Sequence, residues 1–229
     1  MIKNLTRGLI AVALTLPALA APATASTPLA APPAPGAAAV LLLADAVKGI
    51  PLAAEVRTGY ERTKFKHWNN GLNATDGCNT RAEVLLDEAL DAPTVETGCK
   101  LTGGRWNSYY DGQTITDPGK LDIDHMVPLA EAWDSGASAW TAARREAYAN
   151  DQGASTSLVA VSARSNRSKA DQDPATWVPP LPEAHCRYIG EWVSTKLRWG
   201  LTTDQGEADA LGVYAETCEA TVVRYTPAP

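Results

Sequence analysis

The sequence predicts an α+β domain, on three observations. Short β-favouring runs, two of them separated by Asp111-Gly112, are concentrated between residues 100 and 162. Stretches of helix-forming composition lie on both sides of that region. Four cysteines, Cys78, Cys99, Cys186 and Cys218, follow an apolar leader, the arrangement of an exported domain held by two disulfides.

The leader comes first. Lys3 and Arg7 give a basic start, Gly8 to Ala20 is apolar, and Ala23-Thr24-Ala25 is a small-residue cleavage site. The apolar stretch falls short of the ~20 residues a membrane span needs. Residues 1–25 therefore read as a signal peptide, with secretion to the extracellular medium and no membrane attachment after processing. Cutting after Ala25 leaves 204 of the 229 residues, enough for one domain with its own core. Residues 26–55 read as a Pro/Ala-rich linker followed by a short helix over Ala38–Val47. The folded domain is expected to occupy residues 56–229.

Within that domain Tyr60 to Trp68 carries aromatics at Tyr60, Phe65 and Trp68 around a helical turn, and Asn69 to Gly77 is a polar loop. Thr80-Arg81-Ala82-Glu83 has the form of a capping box ahead of Val84-Leu85-Leu86, so Thr80 is expected to cap a helix. Asp111-Gly112 between Arg105–Tyr110 and Gln113–Thr116 signals a hairpin. Leu121 to Val127 follows a Pro118-Gly119 turn as a further strand. Glu131–Trp133 and Ala137–Asn150 read as helical, Leu158–Val161 as a short buried strand, and Ala163–Asp171 as a helix ended ahead of Pro174. Tyr188, Trp192, Leu197 and Leu201 recur at helical spacing, and a last helix is expected across Thr203–Glu219. The tryptophans, with Tyr109 and Tyr110 of the hairpin, read as packing residues. Four cysteines allow three pairings. Local pairing, Cys78–Cys99 and Cys186–Cys218, is the expectation, each loop contributing roughly 3–4 kcal/mol in the chain-entropy account. No CxxC pair supports a zinc site instead.

The formal charge of −6 argues against a tight binder held by phosphate contacts. It leaves room for an enzyme that needs only a local basic cleft. Chemistry concentrates in Leu121-Asp122-Ile123-Asp124-His125-Met126-Val127-Pro128. Carboxylates hold hard divalent cations, and a neutral imidazole takes a proton from water near neutral pH. Asn166, 41 residues after His125, can complete a ligand set. These are the parts of metal-assisted phosphodiester hydrolysis. In an ideal strand Asp124 and His125 point to opposite faces. The strand is therefore expected to bend or end there, as Pro128, which cannot donate to a ladder, favours. Read alone, the stretch is equally compatible with a hydrogen-bonded turn that holds no metal.

At these residues the chain resembles the HNH, or ββα-metal, endonucleases. The matching pieces are Asp122-Ile123-Asp124-His125-Met126-Val127-Pro128, Leu158-Val159-Ala160-Val161-Ser162 and Asn166-Arg167-Ser168-Lys169-Ala170-Asp171. The HNH domain of CRISPR effector nucleases has a similar DxDHxxP and N-R-x-K-x-D. The pattern is more similar still to secreted actinobacterial HNH proteins grouped with the GmrSD restriction endonuclease C-terminal domain. There the likeness extends to Phe65-Lys66-His67-Trp68, Cys78-Asn79-Thr80-Arg81, Tyr110-Asp111-Gly112 and Asp171-Gln172-Asp173-Pro174.

The resemblance implies a ββα-metal core with a hairpin and flanking helices. It implies His125 as general base, Asp124 and Asn166 as metal ligands and members of the catalytic set, and Asp122 as a supporting or alternative ligand. It implies Mg²⁺ or Mn²⁺ as cofactor and DNA, with RNA as a second candidate, as substrate of a monomeric enzyme. Arg81, Arg167 and Lys169 are the expected contacts to substrate phosphates. His67 is expected to pack against Trp68. One departure stands out: the family's middle asparagine falls where this chain has Ala154-Ser155-Thr156-Ser157, with Asn150 nearby on the preceding helix, so the loop bearing His125 is expected to be held more weakly, by a serine. The competing functions are a small-substrate phosphodiesterase and a secreted binding module without catalysis.

Overall fold

A computed structural model describes residues 36–229. The expected signal peptide and most of the expected linker lie outside the described residues. In chain order the elements are β1 (Ala39–Leu42), α1 (Leu43–Lys48), α2 (Thr80–Asp87), β2 (Thr94–Glu96), β3 (Lys100–Thr102), β4 (Trp106–Ser108), β5 (Gln113–Ile115), β6 (Leu121–His125), α3 (Leu129–Asp134), α4 (Ala142–Ala149), β7 (Leu158–Ser162), α5 (Ala163–Lys169), α6 (His185–Trp199), α7 (Gln205–Thr217) and β8 (Val222–Tyr225). The architecture is α+β. The strands pair antiparallel in twos, β1 with β8, β2 with β3, β4 with β5 and β6 with β7.

Local chemistry explains most element ends. Asn79, not Thr80, caps α2: its side chain accepts from the Ala82 amide, and Thr80 is already helical. The expected box does not form, because with Asn79 as cap the reciprocal position is Ala82. Glu83 instead turns outward to take the amides of Leu72 and Asn73. Thr141, Ser162 and Asp204 cap α4, α5 and α7 in the same manner. Gly200 ends α6 in the left-handed region at φ +65°, and the Leu201 amide reaches back to the Lys196 carbonyl, a Schellman closure. Trp140 separates α4 from a short 3₁₀ turn at Ala137–Ala139, so the expected helix over 137–150 is two pieces.

The domain starts earlier than residue 56. Ala39–Leu42 is a strand rather than the first turn of a helix, and it pairs in register with Val222–Tyr225. Leu43, Ala46 and Ile50 of the α1 region are buried in the main core beside Tyr188, Trp192 and Val223. Pairing with a strand nearly two hundred residues away overrides the helical preference of the Ala/Leu composition.

The main core lies between α1, α3, α4, α6 and α7. A smaller one, with Val84, Leu85, Trp106, Leu121, Ile123, Leu158 and Ala160, joins α2 and the β4–β5 hairpin to one face of β6–β7. The Trp106 indole donates to the Leu85 carbonyl at 2.7 Å. Both disulfides have the expected pairing, with Cα–Cα distances of 5.0 Å for Cys78–Cys99 and 5.4 Å for Cys186–Cys218. Cys78–Cys99 ties the loop before α2 to the β2–β3 hairpin, and Cys186–Cys218 ties α6 to the end of α7. Among the described residues no helix is long and apolar enough to cross a membrane.

Candidate metal and base centre at the end of a strand

β6, β7 and α5 form a ββα unit. β6 and β7 pair from Leu121↔Ser162 to His125↔Leu158, and the Met126 amide adds one more bond to the Ser157 carbonyl. α5 follows β7 directly, with Ser162 serving as both last strand residue and helix cap. This geometry lays α5 against β6.

Alternation sends Asp122 and Asp124 to the same side of β6. Asp122 is half-buried. Its Oδ2 receives the Asn166 amide nitrogen at 3.3 Å and lies 3.4 Å from Arg167 Nε. Asp124 is buried, and its Oδ2 accepts from Tyr110 Oη at 2.6 Å and from the Lys169 ammonium. Among the described residues no group donates to its Oδ1 or to the Asn166 amide oxygen. Burial pushes the Asp124 carboxyl up, and the charge of Lys169 and the two donated bonds oppose that shift. Lys169 Nζ donates to three oxygens, adding the carbonyls of His125 at 3.0 Å and Met126 at 2.8 Å. Three acceptors around one nitrogen match an ammonium with all its protons in use.

Lys169 is fully enclosed, so its place is inside the fold rather than on a phosphate-facing patch. Arg81 also departs from the expectation. Its guanidinium donates to the carbonyls of Pro118 at 3.1 Å and Leu121 at 2.9 Å, tethering the turn that feeds β6. Arg167 is the member of the expected trio that stays mostly exposed. It opens, with Lys120 and Arg164, onto a cleft of about 730 Å³ that Trp177 also lines. Lys120, Arg164 and Arg167 make that cleft locally basic on an otherwise acidic chain.

Tyr110 reaches Asp124 because the hairpin turn is anchored to α5. Asp111 Oδ2 accepts from Ser162 Oγ and Ser165 Oγ at 2.5 and 2.9 Å. Burial raises the Asp111 carboxyl, but these donors prevail and hold it below the usual range. Gly112, at φ +69°, lets the chain turn back into β5.

His125 leaves β6 on the opposite face. The strand ends just after it, as Pro128 predicts, yet does not bend to bring His125 beside Asp124. Nε2 lies 2.9 Å from the Ala149 carbonyl, so Nε2 carries the proton and donates, and Nδ1 presents a lone pair that no described residue takes up. Burial pushes the imidazole down to about 3, with the Ala149 bond opposing it, so the ring is neutral at neutral pH. Trp68 stacks on the ring at 5.3 Å and 24°, and Tyr148 flanks it at 6.5 Å and 20°. Trp68 itself sits at φ +60°, a conformation that bulky residues rarely adopt.

The support for His125 comes from the Ala149 carbonyl, with Asn150 and Ser157 fixing the segment around it and Asp151 an unexpected partner. Ala149 is the last residue of α4, where carbonyls lack helical partners and the helix dipole is negative. Asn150 caps that end. Its side chain donates to the carbonyls of Lys66 and Glu146 at 2.8 Å each, and accepts from the Asn69 amide and Thr80 Oγ1 at 3.0 Å each. It thus joins α4, α2 and the Trp68 loop. Ser157 donates at 2.7 Å to Asp151, which Arg198, Trp199 and the Gly153 amide also hold. Loop fixing is therefore divided between Asn150 and Asp151. The asparagine next to the helix end was the available signal. His67 packs edge-on against Trp68 at 5.4 Å and lies 6.3 Å from the His125 ring. Its Nδ1 donates to the Phe65 carbonyl, leaving Nε2 open.

Residues 62–212 match the family model described as GmrSD restriction endonucleases, C-terminal domain. The chain belongs to that family. It is also 37% identical over 209 residues to an uncharacterized secreted protein of Arthroderma benhamiae, covering 91% of this chain and 98% of that protein. No solved structure matches. The description of that family points to a nuclease-type function, and the strand-end centre described above lies inside the matched segment.

Proposed function

We propose that this protein is a secreted, metal-dependent endonuclease of the HNH type that hydrolyses phosphodiester bonds in DNA and, as a second substrate, RNA. The observation that carries the reading is His125, a neutral imidazole fixed through Nε2 with Nδ1 free, at the strand end that also bears Asp122 and Asp124 opposite Asn166. Export rests on the basic-apolar leader and on the relative described as secreted.

Asp122, Asp124 through Oδ1, and Asn166 through its amide oxygen would hold a divalent metal. All three are hard oxygen donors left without strong hydrogen bonds, which fits Mg²⁺ or Mn²⁺. When bound, the ion supplies Lewis-acid stabilisation of the charge that develops on the phosphate and the leaving oxygen. The rest falls to the chain. His125 Nδ1 takes the proton of the attacking water, while the Ala149 carbonyl stabilises the imidazolium that forms. An anionic phosphate nearby raises the proton affinity of a ring that burial alone keeps low. Because β6 ends just after His125, a phosphate at the strand end is the position from which base and metal ligands could both be reached, as in-line displacement requires. Lys169 and Tyr110 hold the Asp124 carboxylate charged and aimed. Arg167 and the basic cleft guide the phosphate backbone.

The test is supercoiled plasmid incubated with the purified mature protein and Mg²⁺, Mn²⁺ or EDTA, beside His125→Ala and Asn166→Ala. Metal-dependent nicking followed by linearisation, lost in both variants, is the expected result. Undiminished cleavage by His125→Ala removes the mechanism. Absence of cleavage with every metal, together with retained DNA binding, makes the protein a binding module. Hydrolysis of a small phosphodiester but of no plasmid makes it a phosphodiesterase.

A further inference from the structure

A second oxygen-rich cluster lies on the segment that enters the domain after α1. That segment is clamped on both sides. The Ala53 amide donates to the Thr203 carbonyl at 2.9 Å, the Thr203 amide to the Pro51 carbonyl at 3.0 Å, and the Val56 amide to the Asp134 carbonyl at 3.4 Å. The clamp brings Glu55 against α3. Carboxylate oxygens of Glu55, Glu131 and Asp134 all lie within 4.8 Å of one another. Glu55 also shares a second such triad with Asp173 and Asp204.

The protein's own cations do not balance this charge. Asp134 Oδ2 is taken by Arg57 at 2.6 Å. Lys196 serves Glu131 Oε1 at 2.9 Å but must also serve Glu207. Among the described residues, Arg57 and Lys196 are thus the two cations paired within the group Glu55, Glu131, Asp134, Asp173, Asp204 and Glu207. Independently of that count, Asp134 Oδ1 is buried and has no hydrogen-bond partner, on a side chain only 1% exposed. A buried carboxylate oxygen without a donor is costly unless something else meets it. The donors are oxygen only, and oxygens no more than 4.8 Å apart can reach one ion at roughly 2.4 Å per bond.

We propose that Glu55, Glu131 and Asp134 form a divalent-cation site of the calcium class that pins residues 51–57 to the end of α3. It shares no residue with the strand-end centre. Its role is structural: it fastens the entry segment to α3, with Asp173 and Asp204 adding negative field from the loops after α5 and before α7.

Calcium binding to the full-length mature protein tests this, with Tb³⁺ as a luminescent stand-in excited through tryptophan, Trp133 being next to Asp134 in sequence. Asp122→Asn serves as background, so that an ion at the strand-end centre is not counted. In that background we expect one calcium per chain with an affinity of about 0.1–1 mM, the range of extracellular calcium modules. Added calcium raises the melting temperature relative to EDTA. Glu55→Gln, at an exposed position where folding is retained, weakens binding by roughly tenfold or more and abolishes the calcium-dependent shift. The proposal is overturned if Asp122→Asn alone removes all calcium binding, or if Glu55→Gln binds as tightly as its parent. A Glu55→Gln protein that melts higher than its parent regardless of calcium also overturns it, since the cluster then shares a proton instead.

Discussion

Replacing Lys169 by methionine separates two roles for this residue, a phosphate contact and an internal counter-ion. Its ammonium is fully enclosed and meets Asp124 Oδ2 and the carbonyls of His125 and Met126. Methionine fills a similar volume but leaves the buried carboxylate with Tyr110 as its remaining donor and two carbonyls unpaired. Removing one partner of a buried ion pair costs about 3–5 kcal/mol. For a domain of this size each kcal/mol lowers the melting temperature by roughly 2–4 °C. The expected loss is therefore about 6–20 °C, read by calorimetry with urea midpoints as a check. Adding Asp124→Asn removes the unpaired charge, so the double variant should recover about 1–3 kcal/mol relative to the sum of the singles. A Lys169→Met protein that melts within about 2 °C of the parent, but shows a raised KM for DNA and a shallower salt dependence, would refute the reasoning and return Lys169 to the substrate face.

Other outcomes follow from the same geometry. Asn150→Ala removes four contacts that join α4, α2 and the Trp68 loop, so it should cost about 1–3 kcal/mol and lower cleavage; Ser157→Ala, which loses one bond to an otherwise well-held Asp151, should cost less in the same denaturation assay. Reducing both disulfides should lower stability by about 3.3 kcal/mol for the Cys78–Cys99 loop and about 3.7 kcal/mol for the Cys186–Cys218 loop, measured as the shift in urea midpoint. Asp151 gives a pH signature: burial raises its carboxyl, but the bonds from Arg198, Ser157 and Trp199 and the charge of Arg198 hold it below the ordinary value. A depressed carboxyl contributes stability that is present above the unfolded value near 3.9 and lost as pH falls through the folded one. Asp151→Asn should therefore be less stable than the parent at pH 7 and close that gap as pH falls through the depressed value of the folded carboxyl, in denaturant titrations across pH.

Local signals in the sequence located much of this fold. Asp111-Gly112 announced the β4–β5 hairpin, the short apolar run announced β7, and the aromatic spacing announced α6. What escaped was set by distant contacts. Ala39–Leu42 has the composition of a helix and becomes a strand because Val222–Tyr225 lies beside it. Lys169 sits among Arg167 and Ser168, the look of a solvated helix face, and only Asp124, forty-five residues earlier, explains its burial. At the strand end, the alternation of Asp124 and His125 was legible, and their opposite faces are what the fold retains. The support of His125 was not legible, because the Ala149 carbonyl belongs to the backbone and carries no residue-type signal.

The β1–β8 ribbon also governs when the domain can finish folding. Ala39 lies opposite Tyr225, so the two ends of the described chain meet in one register. Closing so long a loop costs on the order of 4–5 kcal/mol in chain entropy before the ribbon returns any contact. Until residues 222–225 have been synthesised, Leu43 and Ala46 lack the cover that Val223 and Tyr225 give the core. Completion is thus a late, two-ended event of high contact order, and trimming either end undoes the same ribbon.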